Sequence, residues 1–242
     1  PAVSSEFSRP ERLKQMLIPV GAFARMRHLP PVPRPEIDKL MTEALLEDLP
    51  AELDYRLLGC VSPVKFQEAC WVFGAIGTVE SAVMRQNGGQ VVDLSEEEIT
   101  SCHPNGEMGG MEYYAFAYIL RRGIAGEARY PWNPADHQCR PPDQADYFIN
   151  DYFVRNFSFL PTADRVRVVK HILYDNGPVS TGFMVYKDFA AMNGRGVYVW
   201  NGNREIIGGH AVVIVGWKDD PAVANGGYWI CKNSWGASWG EN

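Results

Sequence analysis

The sequence contains no apolar run of about 18 residues, the length at which a segment becomes a candidate membrane-spanning helix. The first residues, PAVSSEFSRPERLKQ, also lack the compact apolar core of a signal peptide. We therefore expect no transmembrane segment, and a targeting segment that was either removed or never present.

Blocks of like charge are missing as well. The 242 residues carry a formal net charge of -6 at pH 7, and the charged residues, 21% of the total, are dispersed. Proteins that bind nucleic acids or membrane surfaces concentrate Lys and Arg, so we expect neither kind of partner. With 46% hydrophobic residues, the chain can bury a sizeable core, in one domain or in two small ones that share a cleft.

Cysteine is scarce, and its count of five is odd. An odd count leaves at least one thiol outside any disulfide, as a cysteine enzyme requires. Four histidines show no metal-ligand spacing and are interpreted as surface residues: His28, His103, His137 and His171. We expect no metal and no cofactor.

Cys70 lies where a polar segment passes directly into an almost unbroken apolar one, Trp71 to Val79. This pattern predicts a loop that leads into a helix buried on most sides, with Cys70 at its N-terminus. There the unpaired backbone N–H groups and the helix dipole favour a thiolate, which suits a nucleophile. A buried structural cysteine is the alternative at this point, since free Cys is commonly buried.

Two segments near the end of the sequence favour the nucleophile. His210 immediately precedes the strand-like AVVIVGW, and Asn233 follows YWICK. One Cys with a distant His and Asn is the sequence form of a nucleophile, a base and an orienting group. The chain resembles the papain-like cysteine proteases in four segments: VSPVKFQ, ACWVF, GGHAVVIVGW and YWICKNSWGASWGEN. His210 lies 140 residues after Cys70, inside the family's interval of about 130 to 150 residues.

The resemblance implies an α+β, papain-like two-domain fold. A helical half with the nucleophile helix would pack against a β-barrel-like half, with the active-site cleft between them. The resemblance begins at Leu49, and we place the helical half at residues 49–160 and the β-rich half at residues 161–242. The residues themselves predict an amphipathic helix from Ala163 to Asn176, followed by short β-rich runs.

Residues 1–48 stand outside the resemblance. They contain a short amphipathic piece from Arg9 to Leu17, a proline-rich segment from His28 to Pro35, and a predicted helix from Glu36 to Asp48. Two interpretations of this N-terminal extension remain open. It is a pro-segment remnant or an ornament beside the cleft, or it is an ordinary packed extension.

The resemblance also implies roles for individual residues. Cys70 would be the nucleophile, His210 the base, and Asn233 the group that orients the imidazole. The oxyanion would be bound by the Cys70 backbone N–H and the Gln67 side-chain amide. Trp235 would shield the His–Asn bond. Further substrate-binding residues are implied on the glycine-rich cleft edge and in the main pocket, which should admit an apolar side chain: Gly109, Gly110, Gly182, Phe183 and Ala211.

By the same resemblance Cys102 and Cys139 form a disulfide, which implies an oxidising, secreted or lysosome-like compartment. Cys60 and Cys231 are expected to be buried core residues. The sequence also stops at Glu241-Asn242, where the family continues into a closing strand. We therefore expect either a truncated chain or a barrel completed in another way.

The Gln67 segment departs from the family pattern Q-G-x-C-G-S-C-W, because only two residues separate Gln67 from Cys70. The missing piece includes a structural cysteine, and its usual partner is replaced by Glu107. The two losses agree, as if one disulfide had been lost as a unit. A shortened loop also puts the aim of Gln67 in doubt.

The function implied is that of a monomeric cysteine endopeptidase, which cleaves peptide or protein substrates through a thioester acyl-enzyme and is open to inhibitors of the cystatin type. Two alternatives remain. One is a catalytically weakened member of the fold that binds peptides or partners, which the changed Gln67 loop would favour. The other is an amidase or acyltransferase that uses the same chemistry on another substrate.

Overall fold

The computed structural model describes residues 34–46, 48–192 and 195–241. The amphipathic piece predicted from Arg9 to Leu17 and most of the proline-rich segment lie outside the described residues. The helices are α1 (Arg34–Leu46), α2 (Cys70–Gln86), α3 (Glu96–Cys102), α4 (Glu112–Arg122), α5 (Thr162–Asn176) and α6 (Lys187–Ala191), with short 3-10 helices at Gly106–Met108 and Ala224–Gly226. The strands are β1 (Glu52–Asp54), β2 (Val179–Tyr186), β3 (Ile206–Asp219) and β4 (Gly227–Lys232).

The helical half is built around α2, which begins at Cys70 as the sequence predicts. Its apolar residues surround the axis, and Trp71, Ile76 and other side chains of α2 are fully buried. Ser95 caps α3 by accepting a hydrogen bond of 3.0 Å from the backbone N–H of Glu98. Side chains of α2, α3 and α4 share one core cluster.

A buried ionic cluster ties the segment ahead of α2 to the helices and to β4. Lys65 donates to Glu96 at 2.6 Å and to the carbonyl of Leu94 at 2.9 Å. Glu80, only 1% exposed, accepts a hydrogen bond of 2.9 Å from the backbone N–H of Leu94. Lys232 lies 3.7 Å from the other oxygen of Glu80. Each buried charge therefore has an opposite charge beside it, as burial of a charge requires.

The β-rich half is an antiparallel sheet centred on β3. Strand β2 pairs with β3 from Val179–Ile214 to Tyr186–Ile206, while β1 and β4 pair with its C-terminal part. Within the described residues this four-stranded sheet is open, so the expected barrel-like closure is not formed. A barrel needs a strand that joins the two outer edges of the sheet, and the described strands all pair with β3 instead.

Helices α2 and α5 lie on opposite faces of this sheet. Ala211 and Val213 of β3 face α2, where a Cβ added to Gly74 would lie 3.5 Å from the Cβ of Ala211. Ile214 points the other way, because successive strand residues alternate between faces, and it packs with Leu173 of α5. Helix α2 therefore packs on β3 at van der Waals distance.

The predicted helix from Glu36 to Asp48 corresponds to α1, and it packs on α5. Ala44 lies in a core cluster with Val168 and Ile172, and Arg155 donates to Glu36 at 2.7 Å. Helix α1 therefore lies on the α5 side of the sheet, whereas α2 covers the other side.

Cys102 and Cys139 form the expected disulfide, and the other cysteines of the described chain are free. Cys60 is buried as expected. Cys231 was wrongly expected in the core, since it is exposed: β4 lies at an edge of the open sheet. None of the helices in the described ranges has the length and apolar character to span a membrane.

Gly216 on β3 offers a test of this packing, because a Cβ at this position would lie only 2.1 Å from the carbonyl oxygen of Leu53 on β1. We expect Gly216→Ala to lower the free energy of unfolding by about 1–3 kcal/mol or more, since the backbone of β1 must move. Chemical denaturation followed by circular dichroism measures the change. Gly126→Ala is the matched control, because its Cβ would make only ordinary contacts, at 3.6 Å and beyond. Equal losses in both variants would contradict the close approach.

Candidate active site

Cys70 is the first residue of α2 and only 2% exposed. The preceding Ala69 supplies no side-chain cap, so no side chain at the N-cap position accepts from the first N–H groups of the helix. Burial raises the pKa of Cys70 to about 12, although hydrogen bonds from the backbone N–H groups of Ala211, Trp71 and Cys70 itself act against this increase. The thiol thus lies at the helix start, with β3 directly beside it.

His210 on β3 is completely buried, and its Nε2 lies 2.8 Å from Oδ1 of Asn233. The backbone N–H of Ser234 donates to the same Oδ1 at 2.8 Å. A backbone N–H only donates, so this atom of Asn233 is an acceptor and Nε2 of His210 must carry the proton. The other ring nitrogen, Nδ1, is buried and has no hydrogen-bond partner among the described residues. Nδ1 therefore carries the lone pair that can accept a proton.

Burial also lowers the pKa of His210 to about 4, against the opposing effect of the Asn233 hydrogen bond. Considered one at a time, Cys70 and His210 are therefore both neutral over a wide pH range. Both groups are buried, and opposite charges attract one another much more strongly in a buried site than in solution.

Aromatic rings enclose His210. Trp235 stacks on the imidazole with ring centroids 4.7 Å apart, and Phe183 meets it edge-on at 5.7 Å. Phe189 and Trp239 pack in turn on Trp235. This packing fixes the plane of the imidazole and keeps water from its bond to Asn233.

The shortened loop still brings Gln67 to the segment that carries Asn233. The backbone N–H of Gln67 donates to the carbonyl of Ser234 at 2.8 Å, and the Ser234 hydroxyl donates to Oε1 of Gln67. One residue earlier, Phe66 forms a β-bridge with Trp235. Gln67 is completely buried, so the loop is fixed at Phe66 and Gln67.

The glycine-rich edge lies against the residue that follows the thiol. A Cβ at Gly110 would lie 2.8 Å from the indole of Trp71, and Nε1 of Trp71 donates to the carbonyl of Gly106 at 3.1 Å. Gly109 has a φ of 90°, in the left-handed region that favours glycine. The close approach at Gly110 and the backbone angle at Gly109 both require these residues to be glycine.

The other predicted substrate-binding residues lie on the sheet. Gly182 pairs with Ala211, and Phe183 pairs with His210. Ala211 is buried, whereas Gly182 is exposed. The structure thus places Gly110 against Trp71, the residue after Cys70, and Gly182 opposite Ala211 on the neighbouring strand.

Sequence reasoning missed Glu112, the first residue of α4. Its Oε1 is buried without a hydrogen-bond partner in the described ranges, burial raises its pKa, and its charge contributes to the raised pKa of Cys70. The one available signal was its position two residues after Gly110. The interpretation of four histidines as surface residues was also wrong for His171, which is 7% exposed.

The sequence profile of the papain family cysteine proteases matches residues 49–242. Pro-cathepsin H of Mus musculus is 37% identical over 205 residues, which cover 80% of this chain and 58% of that protein. The senescence-specific cysteine protease SAG39 of Oryza sativa subsp. indica is 30% identical over 209 residues, covering 81% of this chain and 57% of that protein. The chain therefore spans a little under three fifths of the length of these relatives.

Solved structures with the same fold include digestive procathepsin L2 from the larval midgut of Tenebrio molitor, at 33% identity and a TM-score of 0.67. The match covers 81% of this chain and 61% of the procathepsin chain. Bromelain from Ananas comosus, solved with the inhibitor E64, is 32% identical with a TM-score of 0.64 over 80% of this chain and 86% of bromelain. These likenesses confirm the expected papain-like fold.

The influence of Glu112 on Cys70 can be tested by Glu112→Gln. An ionised carboxylate disfavours a thiolate nearby, so its removal should lower the pKa of Cys70 by up to about one unit. Ultraviolet difference titration of the thiolate, with the Cys70→Ala signal subtracted, measures the shift. Glu52→Gln on β1 is the control, because this carboxylate pairs with Lys218 on the far part of β3. An unchanged or higher thiol pKa in Glu112→Gln would contradict the interaction.

Proposed function

The chain belongs to the papain family of cysteine proteases, and from that premise we propose that it is a cysteine endopeptidase acting through Cys70, His210 and Asn233. The observation that carries this proposal is the imidazole geometry. Asn233 holds the proton on Nε2, so Nδ1, which has no partner among the described residues, is the basic atom. His210 directly precedes Ala211, whose backbone N–H reaches the Cys70 thiol. The relatives named above are cysteine proteases by name, which supports the same reaction for this chain.

In the first step, a peptide binds across the start of α2 with its scissile carbonyl at Cys70. The thiol proton passes to Nδ1 of His210 while the sulfur attacks the carbonyl carbon. The carbonyl oxygen becomes an oxyanion, bound by the backbone N–H of Cys70 and the side-chain amide of Gln67. Asn233 keeps the imidazolium oriented without adding a second negative charge near the thiolate.

In the second step, the tetrahedral intermediate collapses and the C–N bond breaks. The imidazolium of His210 gives its proton to the leaving amine, and a thioester remains on Cys70. Water then attacks the thioester carbon while Nδ1 of His210 accepts the water proton. The C–S bond breaks, the carboxylic acid leaves, and the thiolate with its imidazolium returns to the starting state.

Substrates and inhibitors follow from the same proposal. The relative bromelain was solved with the inhibitor E64, which supports a cleft open to peptide-like molecules here. We extend this to protein inhibitors of the cystatin type and to action as a monomer. The Cys102–Cys139 disulfide supports an oxidising compartment, secreted or lysosome-like.

For the N-terminal extension, the proposal concerns only helix α1, which packs on α5. Its position on the α5 side of the sheet supports a packed extension for this helix, because Cys70 belongs to the helix on the other side. We keep the division at residues 49–160 and 161–242 as two halves of one catalytic unit.

A catalytically weakened peptide-binding protein is the second candidate, favoured by a specific observation. Burial shifts the pKa of Cys70 upward and that of His210 downward, and both shifts oppose the charged pair.

A fast reaction with E64 would favour the peptidase, whereas binding of peptides without hydrolysis would favour the second candidate. Activity on small amides or acyl acceptors, with none on peptides, would favour an amidase or acyltransferase.

We predict that Cys70→Ala abolishes peptide hydrolysis and leaves peptide binding within about threefold, because the sulfur acts in the covalent step and contributes little to ground-state binding. Steady-state kinetics with fluorogenic peptides and titration calorimetry measure the two effects. Cys231→Ala is the matched control, since this free thiol is exposed on β4 and its loss should leave turnover unchanged. Substantial hydrolysis by Cys70→Ala would mean that another group is the nucleophile.

A further inference from the structure

Carboxylates of three separate segments face the imidazole of His137. Its Nδ1 lies 3.0 Å from both carboxylate oxygens of Glu97. Its Nε2 lies 3.2 Å from Glu68 and 3.4 Å from Glu107. We refer to these four side chains as the His137 clasp.

The three carboxylates belong to parts of the chain that meet at the candidate active site. Glu68 is in the short loop between Gln67 and Cys70. Glu97 is in the first turn of α3, and Glu107 is in the 3-10 helix just ahead of the glycine-rich edge. One imidazole thus joins the loop ahead of the nucleophile to two elements of the helical half.

The geometry requires a charged imidazole. A neutral histidine has a single N–H and can donate from one ring nitrogen only, whereas an imidazolium donates from both. Because carboxylates face both nitrogens of His137, only the imidazolium satisfies both sides. The ring of Trp132 lies 5.4 Å away and adds no charge.

The surroundings agree with this charge state. Burial by itself lowers the pKa of His137, but the hydrogen bond and charge of Glu97, together with Glu107 and Glu68, outweigh burial and raise the pKa overall. Among the clasp carboxylates, Glu97 has a side chain only 4% exposed, whereas those of Glu68 and Glu107 are 43% and 58% exposed. Glu97 is therefore the anchor, and solvent weakens the other two contacts.

The loop that carries His137 is itself firmly held. Cys139, two residues on, is bonded to Cys102 at the end of α3. Trp132 packs edge-on against Phe73 of α2 at 5.3 Å, and the backbone N–H of Asn133 donates to Glu97 at 3.2 Å. Because His137 is fixed from several sides, its contact with Glu68 ties the short loop ahead of Cys70 to a firmly held part of the chain.

We propose that His137 is a positioning residue: anchored on Glu97, its imidazolium holds Glu68 and thereby fixes the short loop that leads into Cys70. The consequence for catalysis rests on the proposed peptidase function, since the same loop carries Gln67 and sets the start of α2. His137 touches neither substrate nor the reacting atoms in this role.

The clasp makes the loop sensitive to pH in one direction. A histidine whose pKa is raised in the folded state adds stability that is fully present below its ordinary pKa of about 6.5, and that is lost as the pH rises through the raised value. A deprotonated ring keeps one N–H. This N–H stays with the buried carboxylate of Glu97, so the hydrogen bond to Glu68 is the one that is lost.

The first test is His137→Gln, with kcat and KM measured on a peptide substrate across the pH range and thermal unfolding measured in parallel. We expect kcat to fall about tenfold at mildly acidic pH with little change in KM, because a small misplacement of a catalytic loop is costly. The ratio to the unmodified protein should approach one as the pH rises through the pKa of His137. A ratio that stays constant with pH would overturn the proposal.

The second test does not depend on turnover and therefore separates this proposal from the peptidase assignment. Nuclear magnetic resonance titration gives the pKa of His137 in the unmodified protein and in Glu68→Gln. The side chain of Glu68 is 43% exposed, so this substitution should not impair folding. We expect a lower pKa in the variant. His171→Gln is the control, because this histidine faces Glu43 and Asp175 far from the loop, and it should leave the His137 pKa unchanged. An unaltered pKa in Glu68→Gln would refute the clasp even if the protein hydrolyses peptides.

Discussion

The close packing of α2 on β3 is the contact on which the rest of the site depends. Gly74 and Gly77 face Ala211 and Val213, and a Cβ at Gly77 would lie only 3.2 Å from Val213. Helix and strand therefore approach closely over the first two turns of α2. The thiol at the start of α2 meets the backbone N–H of Ala211, which directly follows His210. The proposed chemistry needs groups from both elements, and neither element could provide it alone.

The same packing imposes a cost on the chemistry. It removes water from Cys70 and His210, so that each group alone prefers its neutral form. The helix start, the N–H of Ala211 and the orienting Asn233 act in the opposite direction. The aromatic cover by Trp235 excludes water as well, which strengthens the attraction between the two groups once a proton has moved. In the proposed mechanism, Cys70 and His210 therefore become charged together rather than singly.

Local patterns in the sequence predicted much of this arrangement. The change from polar to apolar residues at Cys70 placed the helix start correctly, and the resemblance gave the Cys102–Cys139 pair. Long-range pairing was less accessible. Whether a sheet closes depends on which strands meet at its edges, and the open sheet leaves Cys231 exposed.

His137 shows most clearly what a single sequence could not provide. It stood in a polar loop without metal-ligand spacing, which is typical of a surface residue. Its carboxylate partners are 69, 40 and 30 positions away in the chain, at Glu68, Glu97 and Glu107. They meet because the loop that carries His137 is bonded through Cys139 to Cys102, at the end of α3. The sequence did show a shortened loop and a lost cysteine at Glu107, but not the ionic contacts that occupy the same place.

The central claim is that Cys70 and His210 act as one proton-sharing pair across the helix–sheet interface. The most direct measurement is the rate at which a thiol alkylator labels Cys70 as a function of pH, in the unmodified protein and in His210→Ala. The account predicts rapid labelling at mildly acidic pH that His210→Ala reduces by at least about tenfold, because the imidazole no longer accepts the thiol proton. Identical profiles in the two proteins, rising only at strongly alkaline pH, would contradict it.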